Sequence, residues 1–195
     1  MTTEIKDGFG TGGRARVDQY GQLYVHAVSS EELHSDSLAE RAFGVGTIKL
    51  PLTANGGFML WLKHTNTEAD LIVHDLWVSW NGGDTNHDRC CELQLYEGGS
   101  IPTANEYAIT AKNLNLGSAK QAAITAYMWN TATGDGLTIA TPGNLVGEAL
   151  IAKGFTKGQF TGALIVPPEK SLAIKLIPEE AGNATLMLLT AFHHP

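Results

Sequence analysis

The sequence has little cysteine and little positive charge, and each shortage excludes a class of protein. Two cysteines in 195 residues cannot build the several disulfides of a small secreted scaffold. Lys and Arg number 13 against 20 Asp and Glu, which gives a formal net charge of −7 at pH 7. Nucleic acid and acidic membranes are bound through clustered basic residues, which this chain lacks. We therefore expect neither as a partner.

Long apolar runs are also missing. No window approaches the roughly 18 to 20 apolar residues that cross a bilayer, and residues 1–7 are too polar for a signal peptide. The sequence thus predicts a soluble protein that is made and kept in a cytoplasm. A chain of 195 residues can bury a core in one domain without disulfides.

The two cysteines are neighbours, Cys90 and Cys91, in a predicted strand. Successive side chains of a strand point to opposite faces, and a disulfide between neighbouring residues needs a strained backbone. We expect two reduced thiols, one in the core and one at the surface or an interface.

Short apolar runs separated by turn residues indicate an all-β fold. The clearest lie at residues 159–167, 170–178 and 183–194, with Pro168-Glu169 and residues 179–182 between them. Proline cannot donate to a β-ladder and glycine adopts positive φ, so both mark turns. We interpret these three runs as an antiparallel meander that closes a sandwich.

Comparable runs recur upstream, at residues 44–52, 57–64, 71–80, 90–97, 122–129 and 145–151, with a shorter one at 107–111 inside an irregular segment. Turn signals such as Asn55-Gly56-Gly57 separate them. Roughly nine or ten strands with little helix predict an antiparallel two-sheet β-sandwich, with the jelly roll as the leading topology.

The first 42 residues have a different character and are assigned to an arm, a hairpin and a short helical linker. Glycines at positions 8, 10, 12 and 13 predict a flexible arm that orders only against a partner. A hairpin is expected over residues 17–28, and a helical stretch over 29–42 with serine as its N-cap. Residues 43–195 form the predicted sandwich domain.

Motifs for catalysis or cofactor binding are missing. The seven histidines show neither His-x-His nor His-Glu-x-x-His spacing, and no Gly-x-Ser-x-Gly elbow occurs. We therefore expect no enzyme activity and no cofactor. Paired carboxylates that meet only in space keep a glycan-cleaving enzyme open as an alternative.

One loop is a weak candidate for a metal site. Asp84, Asn86 and Asp88 place oxygen side chains at alternate positions, as at the start of a calcium loop. Arg89 stands where a helix-loop-helix calcium site needs glycine, and the twelfth position is Leu95 rather than an acid. A solvated hairpin tip is the preferred interpretation.

Aromatic side chains are the other candidate site. Trp80 and Trp129 are the residues we select for a glycan-stacking platform or an interface. Trp77 and Trp80 lie at odd spacing and so face opposite ways in a regular strand. Core packing for one and an edge or interface position for the other is the preferred interpretation.

Several segments together resemble one family, and they are residues 15–18, 23–32, 57–64, 113–118, 165–174 and 184–192. Their pattern and order are similar to those of tailed-bacteriophage virion structural proteins with a jelly-roll body. The resemblance covers most of the chain but includes no active-site motif.

The resemblance implies a homo-oligomer, a dimer or trimer, on the exterior of a phage capsid after synthesis in the host cytoplasm. Its role would be that of a decoration or cement protein, with the major capsid protein as partner. Residues of the arm and hairpin would make the contact: Phe9, Arg14, Arg16, Val17 and Tyr20. The alternatives are a tail, baseplate or fibre component, or a glycan-binding β-sandwich.

Overall fold

The computed structural model describes residues 4–6, 14–17, 23–24, 36–82, 90–130 and 136–193. The chain divides into two compact units, Met1–Glu31 and Glu32–Pro195. The predicted division after residue 42 lies inside the second unit. There the backbone N–H of Phe192 donates to the carbonyl oxygen of Arg41, and Ala42 pairs with Ala191, so both residues belong to the sandwich.

The first unit contains a three-stranded antiparallel sheet in the order β1-β2-β3. Its strands are β1 (Glu4–Lys6), β2 (Arg14–Val17) and β3 (Leu23–Tyr24). In the register, Arg16 lies opposite Glu4 on one side and Tyr24 on the other. The expected hairpin is therefore present, but its first strand ends at Val17 instead of beginning there.

The second unit is an antiparallel β-sandwich, as the sequence predicts. What we call the first sheet has the order β10-β4-β15-β7-β13, with β5 paired to β15, and the second sheet has the order β12-β8-β14-β6-β11-β9. The strands are β4 (Ala42–Gly46), β5 (Leu50–Leu52), β6 (Gly57–His64), β7 (Asp70–Gly82), β8 (Cys90–Tyr96), β9 (Glu106–Ile109), β10 (Lys112–Asn113), β11 (Ile124–Trp129), β12 (Leu145–Ala152), β13 (Gly154–Val166), β14 (Ser171–Pro178) and β15 (Gly182–His193). Of the predicted helical stretch, residues 36–38 are helical.

Hydrophobic alternation explains why most of these bounds follow the predicted runs. In β8, Cys91, Leu93 and Leu95 are buried while the residues between them are half-exposed, which is the period of a strand with one face on a core. The predicted run 44–52 is two strands instead of one. Thr47 interrupts it, because its backbone N–H and its hydroxyl both bond to the backbone of Leu186.

The predicted meander of the last three strands is wrong. β13 and β15 both pair with β7 in the first sheet, whereas β14 pairs with β6 and β8 in the second. The turns after Val166 and Pro178 therefore carry the chain across to the other sheet. Turn residues mark a reversal of the chain, but they do not specify whether it returns to the same sheet or crosses about 10 Å to the facing one.

Four long-range pairs are nested within one another: β4 with β15, β6 with β14, β7 with β13, and β8 with β12. The core lies between the inner faces of the two sheets. Its largest fully buried side chains include Trp61 from the second sheet and Trp80 from the first. This nesting leaves β12 and β13, which are consecutive in sequence, as edge strands of different sheets.

Candidate functional site: an apolar edge of the sandwich

The edge strands of the sandwich differ in how they are protected against pairing with another chain. An exposed edge presents unpaired backbone N–H and C=O groups, and proteins protect it with short strands, charges or bulges. β10 has only two residues, and β9 has four, including Glu106. β13 is long, but its register with β7 shifts between Gln159 and Leu164, which interrupts the ladder.

β12 lacks most of that protection. Its eight residues read Leu-Val-Gly-Glu-Ala-Leu-Ile-Ala, so Glu148 is the one charged side chain in the strand. Leu145, Val146 and Leu150 are 46%, 55% and 76% exposed. A register shift against β8 between Leu145 and Gly147 affects only the beginning of the strand. We call residues 145–152 the apolar edge.

Two cavities lie beside the apolar edge. One is a cavity of about 260 Å³ between the sheets, lined by Leu76 and Val78 from the first sheet and by Leu93, Leu95 and Ile151 from the second. The lining is almost entirely apolar, and it also includes Gly147 and Ala149 of β12. The core is therefore incompletely covered along this strand.

The second cavity lies at one end of the sandwich and has a volume of about 550 Å³. Val146 and Ile165, which is 46% exposed, line it together with Glu97 and Lys170. Glu97 accepts hydrogen bonds from the backbone N–H and the side-chain amide of Asn144 at 3.1 and 3.0 Å. These bonds lower the pKa of Glu97, because they favour the charged carboxylate.

The tryptophans selected from the sequence are in the core. Trp80 is 0% exposed and Trp129 is 3% exposed, and a ring without exposed surface offers no face for a sugar. Trp77 is the half-buried one, so the opposite orientation expected for Trp77 and Trp80 is confirmed. The ring of Trp77 meets that of Phe155 edge to face at 6.0 Å, and the ammonium of Lys157 lies 5.9 Å from its centroid.

Other candidates fall partly outside the described residues. Phe9 and Tyr20 are outside them, as is the weak metal candidate Asp84, Asn86 and Asp88. Arg14, Arg16 and Val17 lie on β2. In the described part of the chain, no group of three or more His, Cys, Asp or Glu could hold a metal ion. The contact residues and the loop remain predictions.

Neither cysteine forms a disulfide, as expected. Cys90 is half-buried and Cys91 is fully buried. Desolvation raises the pKa of the Cys91 thiol to about 12, which outweighs a hydrogen bond to the backbone of Ile177 that favours the thiolate. Cys91 is therefore a core residue whose raised pKa keeps the thiol protonated at neutral pH.

The structure also brings together charged groups that the sequence analysis missed. Arg41 donates to the buried carboxylate of Asp36 at 2.8 Å, and His74 Nε2 lies 3.9 Å from the other oxygen of Asp36. Lys157 Nζ lies 3.3 Å from Asp75, whose carboxylate is almost completely buried. The sequence pattern does not reveal contacts between distant residues such as Lys157 and Asp75, which meet because β13 pairs with β7.

No protein-family model matches this chain, and no curated protein sequence matches it. Across the described ranges, helices are too short or too polar to cross a membrane. The geometry of the described residues therefore defines the candidate site. It is the apolar edge, a long edge strand of the β-sandwich with exposed apolar side chains.

Proposed function

We propose that this protein is a non-enzymatic virion structural protein of a tailed bacteriophage, a decoration or cement protein that binds the outer surface of the capsid and stabilises it. The observation that carries the assembly role is the apolar edge, where Leu150 is 76% exposed in a strand with one charge. Such an edge favours pairing with another chain. The phage assignment comes from the resemblance of sequence pattern described above.

We include a jelly-roll topology of the sandwich in this proposal, and the strand order supports it. Nested pairs β4–β15, β6–β14, β7–β13 and β8–β12 describe one long antiparallel hairpin folded over into two sheets. In a jelly roll, eight strands form two Greek keys across two sheets, an architecture used by viral capsid domains. Fold alone does not imply function, so the topology supports the proposal without carrying it.

Charge and the first unit also support a position on the capsid exterior. A net charge of −7 disfavours contact with packaged DNA, because like charges repel. The proposed partners are the major capsid protein and further copies of this chain. We assign the capsid contact to Arg14, Arg16 and Val17 of β2, with Phe9 and Tyr20 beside them in sequence. Many copies on one particle would multiply weak contacts.

A capsid-binding experiment with charge-reversal variants tests the proposal. Capsids stripped of accessory proteins are mixed with the full chain, with Arg14→Glu/Arg16→Glu, or with the matched control Lys49→Glu/Lys120→Glu. Both control lysines are exposed in the second unit. Co-sedimentation and the heat resistance of the capsids are measured.

We expect the unmodified chain and the control to sediment with capsids and raise their heat resistance, and the arginine variant to lose both effects. Absence of binding by all three proteins would overturn the capsid role and favour a tail or fibre component. The glycan-binding alternative is tested separately with Trp77→Ala, because Trp77 is half-buried whereas Trp80 and Trp129 are buried.

A further inference from the structure

We propose that β12 pairs with β12 of a second copy, antiparallel and across a two-fold axis, with Ala149 of one copy opposite Ala149 of the other. The second sheets of the two copies then join edge to edge. This inference rests on the self-association that belongs to the proposed function, but not on the identity of the capsid partner.

The choice of β12 follows from comparison with the other edges. Pairing needs a run of free backbone groups, and β9 and β10 are too short to supply one. β13 is interrupted by its register shift and carries Lys157. Within the described part of the sandwich, β12 is the long edge strand whose exposed side chains are mainly apolar.

The face of the sheet on which each side chain lies restricts the register in which two copies of β12 can pair. A two-fold axis perpendicular to the sheet keeps every side chain on its own face, so residues that meet across it must come from the same face of the strand. The axis must therefore pass beside a residue and not between two. The choices near the middle of β12 are Glu148, Ala149 and Leu150.

Repulsion between like charges excludes an axis at Glu148. With the axis at Glu148, the two copies would place their carboxylates directly opposite each other, which destabilises an antiparallel pair. With the axis at Ala149, Glu148 faces Leu150 of the second copy, and residues 146–152 pair. With the axis at Leu150, only residues 148–152 pair. The Ala149 register thus gives the longest ladder without a like-charge contact.

The same register covers the open side of the core. Gly147 faces Ile151 of the second copy, and both residues line the cavity between the sheets. A Cβ placed on Gly147 would have no described atom within 4 Å, so the space beside it is open. Ile151 of the second copy would occupy that side, and Leu150 would lose much of its exposure. Burial of Leu150 removes apolar area from water, whereas Ile151 is already only 3% exposed in the single copy.

Sedimentation of the full chain, without capsids, tests the pairing. We expect a concentration-dependent dimer that Leu150→Glu weakens at least about tenfold, because the new carboxylate of each copy lies directly opposite Glu148 of the other copy. Leu116→Glu is the matched control, since Leu116 is 95% exposed in a loop, and it should leave the dimer unchanged. Circular dichroism checks that each variant is folded.

Cross-linking tests the register. In a Cys90→Ser background, with the buried Cys91 retained, single cysteines are introduced as Glu148→Cys, Ala149→Cys and Leu150→Cys. Opposed residues of an antiparallel pair have Cβ atoms about 4.5–5.5 Å apart. A short thiol cross-linker should therefore join Ala149→Cys chains faster than the other two.

The outcomes separate this inference from the capsid role. A protein that stays monomeric, or a dimer that Leu150→Glu does not weaken, overturns the β12 pairing even if the protein binds capsids. Fastest cross-linking at position 148 or 150 overturns the register. A dimer with the expected cross-link that fails to bind capsids supports the pairing and overturns the capsid role.

Discussion

The indole Nε1 of Trp61 donates a hydrogen bond to the backbone carbonyl oxygen of Gly98, 2.8 Å away. Both residues are buried, and the bond links β6 to the turn that follows β8. Trp80 is equally buried, but no described acceptor lies within hydrogen-bond reach of its Nε1. The two tryptophans therefore share burial and differ in hydrogen bonding.

Phenylalanine at each of these positions should reveal that difference. Trp61→Phe leaves the Gly98 carbonyl without its partner, which costs about 1–3 kcal/mol for a buried group, in addition to the loss of ring volume. Trp80→Phe loses similar volume but no hydrogen bond. We expect the free energy of unfolding in urea to fall further for Trp61→Phe. Equal losses would contradict this account.

The turn between β5 and β6 should be intolerant of a side chain. Gly56 has φ of 68°, and its N–H donates to the carbonyl oxygen of Thr53 at 3.0 Å. A Cβ there would lie 2.3 Å from the carbonyl oxygen of Leu176. We expect Gly56→Ala to lower the free energy of unfolding by at least about 2 kcal/mol, through left-handed strain and this clash.

Gly117→Ala is the control for that change. Gly117 does not have the left-handed backbone, and the nearest described atom to a Cβ there is 3.5 Å away. Thermal or urea unfolding should show a change below about 1 kcal/mol. A Gly56→Ala variant as stable as Gly117→Ala would show that the turn relaxes without cost.

The adjacent thiols should react differently in the folded protein. At pH 8 the Cys91 thiol, whose pKa burial raises to about 12, is almost entirely protonated and shielded. Cys90 is half-buried, so we expect a thiol reagent to modify it first. Mass spectrometry should find one modified cysteine before unfolding and two after it. Rapid modification of Cys91 in the native state would be inconsistent with this packing.

Glu97 should titrate below its ordinary pKa of 4.5, because the backbone N–H and side-chain amide of Asn144 bond to its carboxylate. A lowered folded pKa means that this contribution to stability is present above pH 4.5 and is lost as pH falls through the folded value. Carboxylate NMR should show the midpoint rising in Asn144→Ala, where one of the two bonds is removed. Asn115→Ala, in another loop, should leave it unchanged.

The local pattern of apolar and turn residues was sufficient to predict many strands of the fold. β6 has the predicted bounds, and β8, β12 and β14 begin and end within one residue of their predicted runs. The turn at Gly56 and the opposite faces of Trp77 and Trp80 also follow from residue type and spacing. These features depend on residues that lie close together in the sequence, so residue type and spacing are enough to predict them.

The candidate site could not be found in the same way. Leu150 and Leu93 both read as apolar strand residues, yet Leu150 is 76% exposed and Leu93 is 8% exposed. The register separates them, because Leu150 pairs with Glu92 and so lies on the opposite face of the second sheet from Leu93, and the sheet order leaves its strand at the edge. The burial of Trp80 and Trp129 could not be predicted for a similar reason, since burial depends on which strands cover a residue.

The sequence by itself determined the two-sheet β class and most strand bounds, because side-chain alternation and turn chemistry are local properties. Tertiary structure decided which strands pair, that β13, β14 and β15 alternate between sheets, and that β12 is left as an apolar edge. Those choices depend on contacts between residues far apart in the chain, such as the pairing of β4 with β15. No local pattern encodes them, since any apolar strand can pair with many others.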